Sequence, residues 1–97
     1  MTAFLFVAMK VHDTAWMGDY QANVPAIMHR HGGQFVAGAQ NIRRYEGDGI
    51  NPDSIALMTF PSMEAIDAFV SDADYHPYRE ARRSAASSDA LAFAVGE

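Results

Sequence analysis

Histidine, arginine and tyrosine are the residues of this sequence with chemistry to offer, and their spacing limits what that chemistry can be. His29 and His31 stand two positions apart, which on a helix turns them about 200° away from each other, so they cannot close on one metal ion. His31 shares a helical stripe with Trp16 and Tyr20. It reads as a helix-terminal histidine whose charged form the helix dipole favours, or as a histidine of a cleft able to carry a proton. His12 and His76 have no carboxylate or histidine at ligand spacing and read as surface residues. Five of the seven basic residues are Arg43, Arg44, Arg79, Arg82 and Arg83. Adjacent strand residues face opposite ways, so only one of Arg43 and Arg44 can address a given cleft. Arg79 and Arg82, three apart on a helix, can share a face. A guanidinium near Tyr75 or Tyr78 would hold a small carboxylate; the competing account is salt bridging to Glu46, Glu80 or Asp72.

Other chemistries lack their residues. Cysteine is absent, which removes disulfides, thiolate zinc sites and thiol nucleophiles. Gly32 and Gly33 precede a strand rather than a helix, so they do not build a phosphate loop. No G-x-S-x-G turn occurs, and the serines of "SAASSDA" read as helix-end and loop residues. A formal net charge of −5 disfavours nucleic acid and anionic membrane as partners. The first residues are apolar over too short a run to cross a bilayer and lack the pattern of a signal peptide, which reads as a cytoplasmic protein.

The elements that must position these side chains follow from periodicity. In "AFLFVAMKV", Leu5, Val7, Met9 and Val11 alternate with Phe4, Phe6 and Ala8, a strand apolar on both faces. "SIALMTF" repeats that pattern, and the two read as the central pair of a sheet. Between them, Asp13 is the expected cap of a helix whose stripe is Trp16, Tyr20, Val24, Ile27 and His31, with a bend expected at Pro25. Gly32 and Gly33 should stop it. "QFVAGAQNIRRYEGD" reads as a strand interrupted near Gly38 to Asn41 and resumed through Tyr45. Ser62 should cap the next helix, with Ile66, Phe69 and Val70 inward. After a pause a short helix follows, with Asp74 as its cap and Pro77 in its first turn. "DALAFAV" is a last strand with alanines on one face.

Strand, helix, strand, strand, helix pair, strand is the order of a ferredoxin-like βαββαβ α+β sandwich with a four-stranded antiparallel sheet. All 97 residues read as one domain. Helices cover one face of such a sheet, so the second apolar face asks for cover by another copy of the chain.

The segments "HDTAWMGDYQANVPAIMHRHGGQFV", "YEGD", "FPSMEA" and "SDADYHPYREARRSAA", in this order across essentially the whole chain, resemble the family named domain of unknown function 1330 (DUF1330). That family lies within the dimeric α/β-barrel superfamily. The resemblance implies a homodimer whose sheets pack face to face, with a small cleft in each subunit. Activities across the superfamily include cofactor-free quinone-forming monooxygenases, haem-degrading enzymes, lactone isomerases and sensing domains, so the fold alone selects none. For this chain the expected cleft residues are Tyr20, His31, Tyr75 and Arg79, with Glu46 orienting one of them and Trp16, Phe35 and Phe60 as apolar walls. The expected function is cofactor-free oxygenation or isomerisation of an aromatic or carboxylated metabolite. The alternatives are a ligand-binding or effector-sensing module, or an interaction domain without a ligand. No cofactor or metal is expected, haem being the one alternative.

Overall fold

Alternating apolar residues make β1 (Thr2–Val11) the spine of the molecule. It is followed by α1 (Met17–Arg30), β2 (Gln34–Ala39), β3 (Ser54–Phe60), α2 (Met63–Val70), α3 (His76–Ala85) and β4 (Ala86–Val95). The computed structural model describes residues 2–96. The strands form one antiparallel sheet in the order β2-β3-β1-β4, with β1 and β3 at its centre. This is the expected ferredoxin-like α+β arrangement. No helix among the described residues is long and apolar enough to cross a membrane.

Register decides which face the helices cover. Leu5 pairs with Met58 and Ala3 with Phe60, and these residues pack beneath Val24, Ile27, Met28, Ile66, Phe69 and Tyr75 as the core. Cross-strand partners point to the same side. The opposite face therefore carries Phe4, Phe6, Ile55 and Leu57, extended by Leu91 and Phe93 of β4 through the Phe6↔Leu91 and Phe4↔Phe93 pairs. The Phe4 and Phe93 rings stack with centroids 5.3 Å apart. Leu91 and Phe93 remain 59% and 47% exposed, so this face is both apolar and open.

The first helix starts later than expected. The Asp13 carboxylate accepts from the Ala15 amide at 2.8 Å, but this holds the turn that precedes the helix. Trp16 occupies the N-cap position without a side-chain cap bond. The helix also runs through Pro25 unbroken. A proline inside a helix costs about 3 kcal/mol, whereas burying Val24, Ile27 and Met28 is worth about 1.5–3 kcal/mol for each side chain, so packing wins.

At its other end the two glycines do different work. Gly32 has φ +78 and donates to His29 O, while Gly33 donates to Met28 O, both at 3.0 Å. This is the paired-bond Schellman stop. Gly33 is not in the left-handed region. A Cβ there would meet Met28 Cγ and Phe60 Cε2 at 2.5 Å, so its smallness serves close packing of helix end on strand end.

Two further expectations change. β2 carries its bulge at Val36, between the Phe35 and Ala37 pairings, and does not resume through Tyr45; residues 40–53 form an irregular loop. Arg44 holds that loop by donating to the carbonyls of Glu46 and Ile50. Ser87 and Ser88 lie inside β4, which starts directly after α3. Ser62 caps α2 as expected, its hydroxyl accepting from the Ala65 amide at 3.1 Å. Asp74 does not cap α3: Asp72 organises that turn, its carboxylate accepting from the Asp74 amide at 2.8 Å and its carbonyl from the Tyr75 amide at 3.0 Å.

Candidate functional site

A cavity of about 310 Å³ lies between the sheet and α1. Tyr20, Gln21, Val24, Pro25 and Met28 come from one side of α1, and Leu5, Val7 and Met9 from β1. Phe35 of β2 and Met58 of β3 extend the floor, and Trp16 stands beside Tyr20 in edge-to-face contact with centroids 5.3 Å apart. Phe69, Tyr75 and Arg82 complete the wall. Methionines 9, 17, 28 and 58 contribute flexible, polarisable surface able to fit more than one apolar shape.

Within this apolar setting the polar groups converge. The Tyr20 and Tyr75 hydroxyls are 2.9 Å apart, joining α1 to the head of α3. Tyr75 also stacks on Phe69, centroids 4.4 Å apart, which fixes its ring. Burial pushes the Tyr20 phenol well above its ordinary range, the Tyr75 hydroxyl adds to the rise, and Arg82 only partly offsets it. Tyr20 is therefore a neutral hydrogen-bonding group at physiological pH.

Arg82 is 8% exposed. One of its terminal nitrogens donates to Ser88 Oγ at 2.6 Å, while Nε has no hydrogen-bond partner among the described residues. The ion pairs of the described residues engage Lys10, Arg30, His31, Arg79 and Arg83, but not Arg82. A guanidinium does not deprotonate in proteins, so this is a buried positive charge at the cavity wall with no carboxylate partner among the described residues.

Of the residues expected in the cleft, Tyr20, Tyr75, Trp16 and Phe35 line the cavity. His31, Glu46, Arg79 and Phe60 do not. His31 turns to the surface, where its Nε2 lies 2.7 Å from Asp72 Oδ2; Arg30 reaches the same oxygen at 3.0 Å and Asp74 at 3.0 Å. The hydrogen bond to Asp72, just beyond the end of α2, holds it there. Glu46 sits beyond the sheet's other face, where it borders a shallow depression with Phe6 and Leu91. Arg79 donates to Val70 O at 3.0 Å, satisfying a carbonyl at the end of α2 that the helix leaves unpaired. Phe60 is packed into the core against Phe69.

Arg82 is the residue that the reading of sequence passed over in favour of Arg79. Its signal was present: Arg82 lies two helical turns beyond Tyr75, hence on the same side of α3. Among the described residues no histidine, aspartate or glutamate lines the cavity, so it places no imidazole to ligate a haem iron. The described residues also contain no group of three or more His, Asp or Glu arranged around a metal position.

Fold and cavity together define a small ferredoxin-like α+β protein with a ligand-sized, largely apolar chamber under its helices. The chain belongs to the family described as Domain of unknown function (DUF1330), whose profile matches residues 2–95. No curated protein sequence matches it. Solved structures resemble it over nearly its full length at low identity. A protein of unknown function from Rhodopseudomonas palustris superposes with TM-score 0.78 at 16% identity, covering 99% of this chain and 83% of that one. SnoaB, a cofactor-independent oxygenase from Streptomyces nogalater, gives TM-score 0.68 at 18% identity, covering 99% and 94%. A dimeric ferredoxin-like protein of unknown function from Jannaschia sp. CCS1 gives 0.62 at 13%, covering 98% and 100%. At these identities the likeness concerns the fold.

Proposed function

We propose that the chain is a cytoplasmic homodimer that takes a small aromatic or carboxylated metabolite into the cavity and catalyses its cofactor-free oxygenation or isomerisation. The observation that carries this reading is the un-neutralised Arg82 guanidinium beside the Tyr20–Tyr75 pair in an otherwise apolar chamber. A ligand pocket has that composition: apolar walls for affinity and a few convergent polar groups for orientation. Its volume, about 310 Å³, argues against the alternative of an interaction domain whose cleft is filled by its own side chains.

Oxygenation without a cofactor requires the substrate itself to supply the electrons, which it does best as an anion. When an activated methylene reacts with dioxygen, one oxygen atom enters the product as a ketone and the other leaves as water. Isomerisation passes through the same kind of anion and returns the proton to a different carbon. In both, a fixed positive charge in a dry site stabilises the charge that develops. The cofactor-independent oxygenase activity of SnoaB is compatible with this reading and does not by itself extend to this chain.

A specific feature favours a second reading. The described lining holds no carboxylate or histidine, and the Tyr20 phenol is held protonated, so no side chain there is an obvious general base. A substrate acidic enough to ionise alone meets the enzymatic reading; otherwise the cavity serves binding or effector sensing. The homodimer rests on the apolar open sheet face, where Phe4, Phe6, Leu57, Leu91 and Phe93 would be buried against a twin.

Thermal-shift screening against hydroquinones, quinones and small carboxylates, followed by dioxygen uptake and product mass for every stabilising compound, separates these readings. A ligand at 100 times its dissociation constant adds about 2.7 kcal/mol of stability. Stabilisation with turnover supports the enzyme, stabilisation without turnover the binding module. Folded protein that no compound stabilises returns the chain to the interaction-domain reading.

A further inference from the structure

We propose that the cavity selects a monoanion, specifically a flat aromatic carboxylate or acidic enol, with Arg82 as its counter-charge. This rests on the small-molecule reading given above and narrows it to one charge state.

The cation is built in. Arg82 projects from α3 and is braced from the sheet by Ser88 of β4, 2.6 Å from one terminal nitrogen. Ser88 stands opposite Met9 in the β1–β4 register, and Met9 lines the cavity, so the brace comes from the chamber's own floor. One terminal nitrogen is engaged and the enclosed Nε is out of a ligand's reach, which leaves the second terminal nitrogen to receive an oxyanion.

Donor arithmetic at the phenols points the same way. Two hydroxyls that bond to each other use one proton between them, so one O–H of the Tyr20–Tyr75 pair remains to donate. No other protein acceptor for it occurs among the described hydrogen bonds of these hydroxyls. An incoming carboxylate would thus meet N–H and O–H donors in one place. A neutral carboxamide of the same size would bring N–H groups against a guanidinium that offers no acceptor. A dianion would bring a second charge for which the described lining has no cation. The remaining walls, Trp16, Phe35 and the methionines, suit the faces of an aromatic ring.

The test compares 2-naphthoate with its neutral isostere 2-naphthamide by calorimetric titration on the full chain, at pH 7 where the acid is ionised. The expected result is a preference for the acid of roughly tenfold to a hundredfold, the usual worth of a charged hydrogen bond. Arg82→Met should lose that preference while the ligand-free melting temperature stays level or rises, because a buried unpaired charge is removed. Arg82→Lys should keep part of it, and serves if the methionine variant does not fold. Equal affinity for acid and amide in the wild type overturns the charge requirement and leaves the small-molecule reading standing. An undiminished preference in a folded Arg82→Met overturns the role of Arg82. Failure to bind the pair, with matched benzoate and cinnamate pairs also silent, overturns both readings together.

Discussion

The hydroxyl of Tyr20, in the first turn of α1, lies 2.9 Å from that of Tyr75, which leads into α3 fifty-five residues later. One hydrogen bond thus ties α1 to the start of α3 at the edge of the cavity. It also makes the two phenols depend on each other for the satisfaction of buried polar groups.

Removing either hydroxyl therefore strands the other. Tyr20→Phe should lose about 1–3 kcal/mol, the penalty for a buried hydroxyl left without its partner, as read by urea unfolding. The Tyr20 phenol titrates above its ordinary range, so its contribution is fully present below the unfolded-state value of about 10 and fades as pH rises through the folded value. Ultraviolet titration of the tyrosinates should show the most alkaline step disappearing in this variant. Its persistence would assign that step to another phenol.

Asp72 predicts an acid limb. Its carboxyl is held below the ordinary carboxylate range first by the bond from His31, then by the Asp74 amide, with Arg30 adding to both. A depressed value in the folded state means stability present above about pH 4, where an unfolded aspartate ionises, and lost as pH falls through the folded value. Melting temperature should therefore fall below pH 4 more steeply in the wild type than in Asp72→Asn. Parallel curves for the two proteins would remove Asp72 from the account.

Adjacent glycines should fail differently. Gly33→Ala places a methyl group 2.5 Å from Met28 and Phe60, and overpacking of this kind costs typically about 1–3 kcal/mol. Gly32→Ala meets the left-handed backbone at φ +78, a penalty of roughly 1–2 kcal/mol, together with crowding against Pro61 Cγ at 2.9 Å. In a Met28→Ala background the added cost of Gly33→Ala should shrink, since one of the two crowding side chains is gone, whereas the cost of Gly32→Ala should be the same in either background. Equal rescue of both would contradict the division of labour.

The proposed dimer predicts a separation of folding from assembly. Phe6→Asp and Phe93→Asp place charge on the open sheet face, outside the core. Sedimentation should show the wild type as a dimer and both variants as folded monomers with retained far-ultraviolet dichroism. A wild type that sediments as a stable monomer at micromolar concentration ends the pairing proposal, and with it the explanation for the second apolar face.

Helix capping gives the smallest expected effect. Ser62→Ala removes the acceptor for the Ala65 amide and should cost about 1 kcal/mol, measurable as a shift in the unfolding midpoint at constant slope.

What the sequence by itself determined was local. Strand and helix order, the glycine stop after His31 and the Ser62 cap follow from periodicity and backbone chemistry within a few residues, and the apolar pattern on both faces of β1 and β3 marked them as the central strands. The i, i+4 step from Trp16 to Tyr20 also placed both on the side of α1 that lines the cavity. Tertiary structure alone decided the rest. Leu5 and Phe4 are equally apolar neighbours, and only the packing of α1 and α2 onto one face made Leu5 core and left Phe4 open. Arg79 and Arg82 are chemically identical and can share a helix face; one was drawn to the carbonyl end of α2 and the other sealed against β4. His31 was drawn outward by Asp72, forty-one residues away. Electrostatic partners and burial are set by distances across the chain, and a one-dimensional pattern carries the period of a helix without the direction in which its neighbours will meet it.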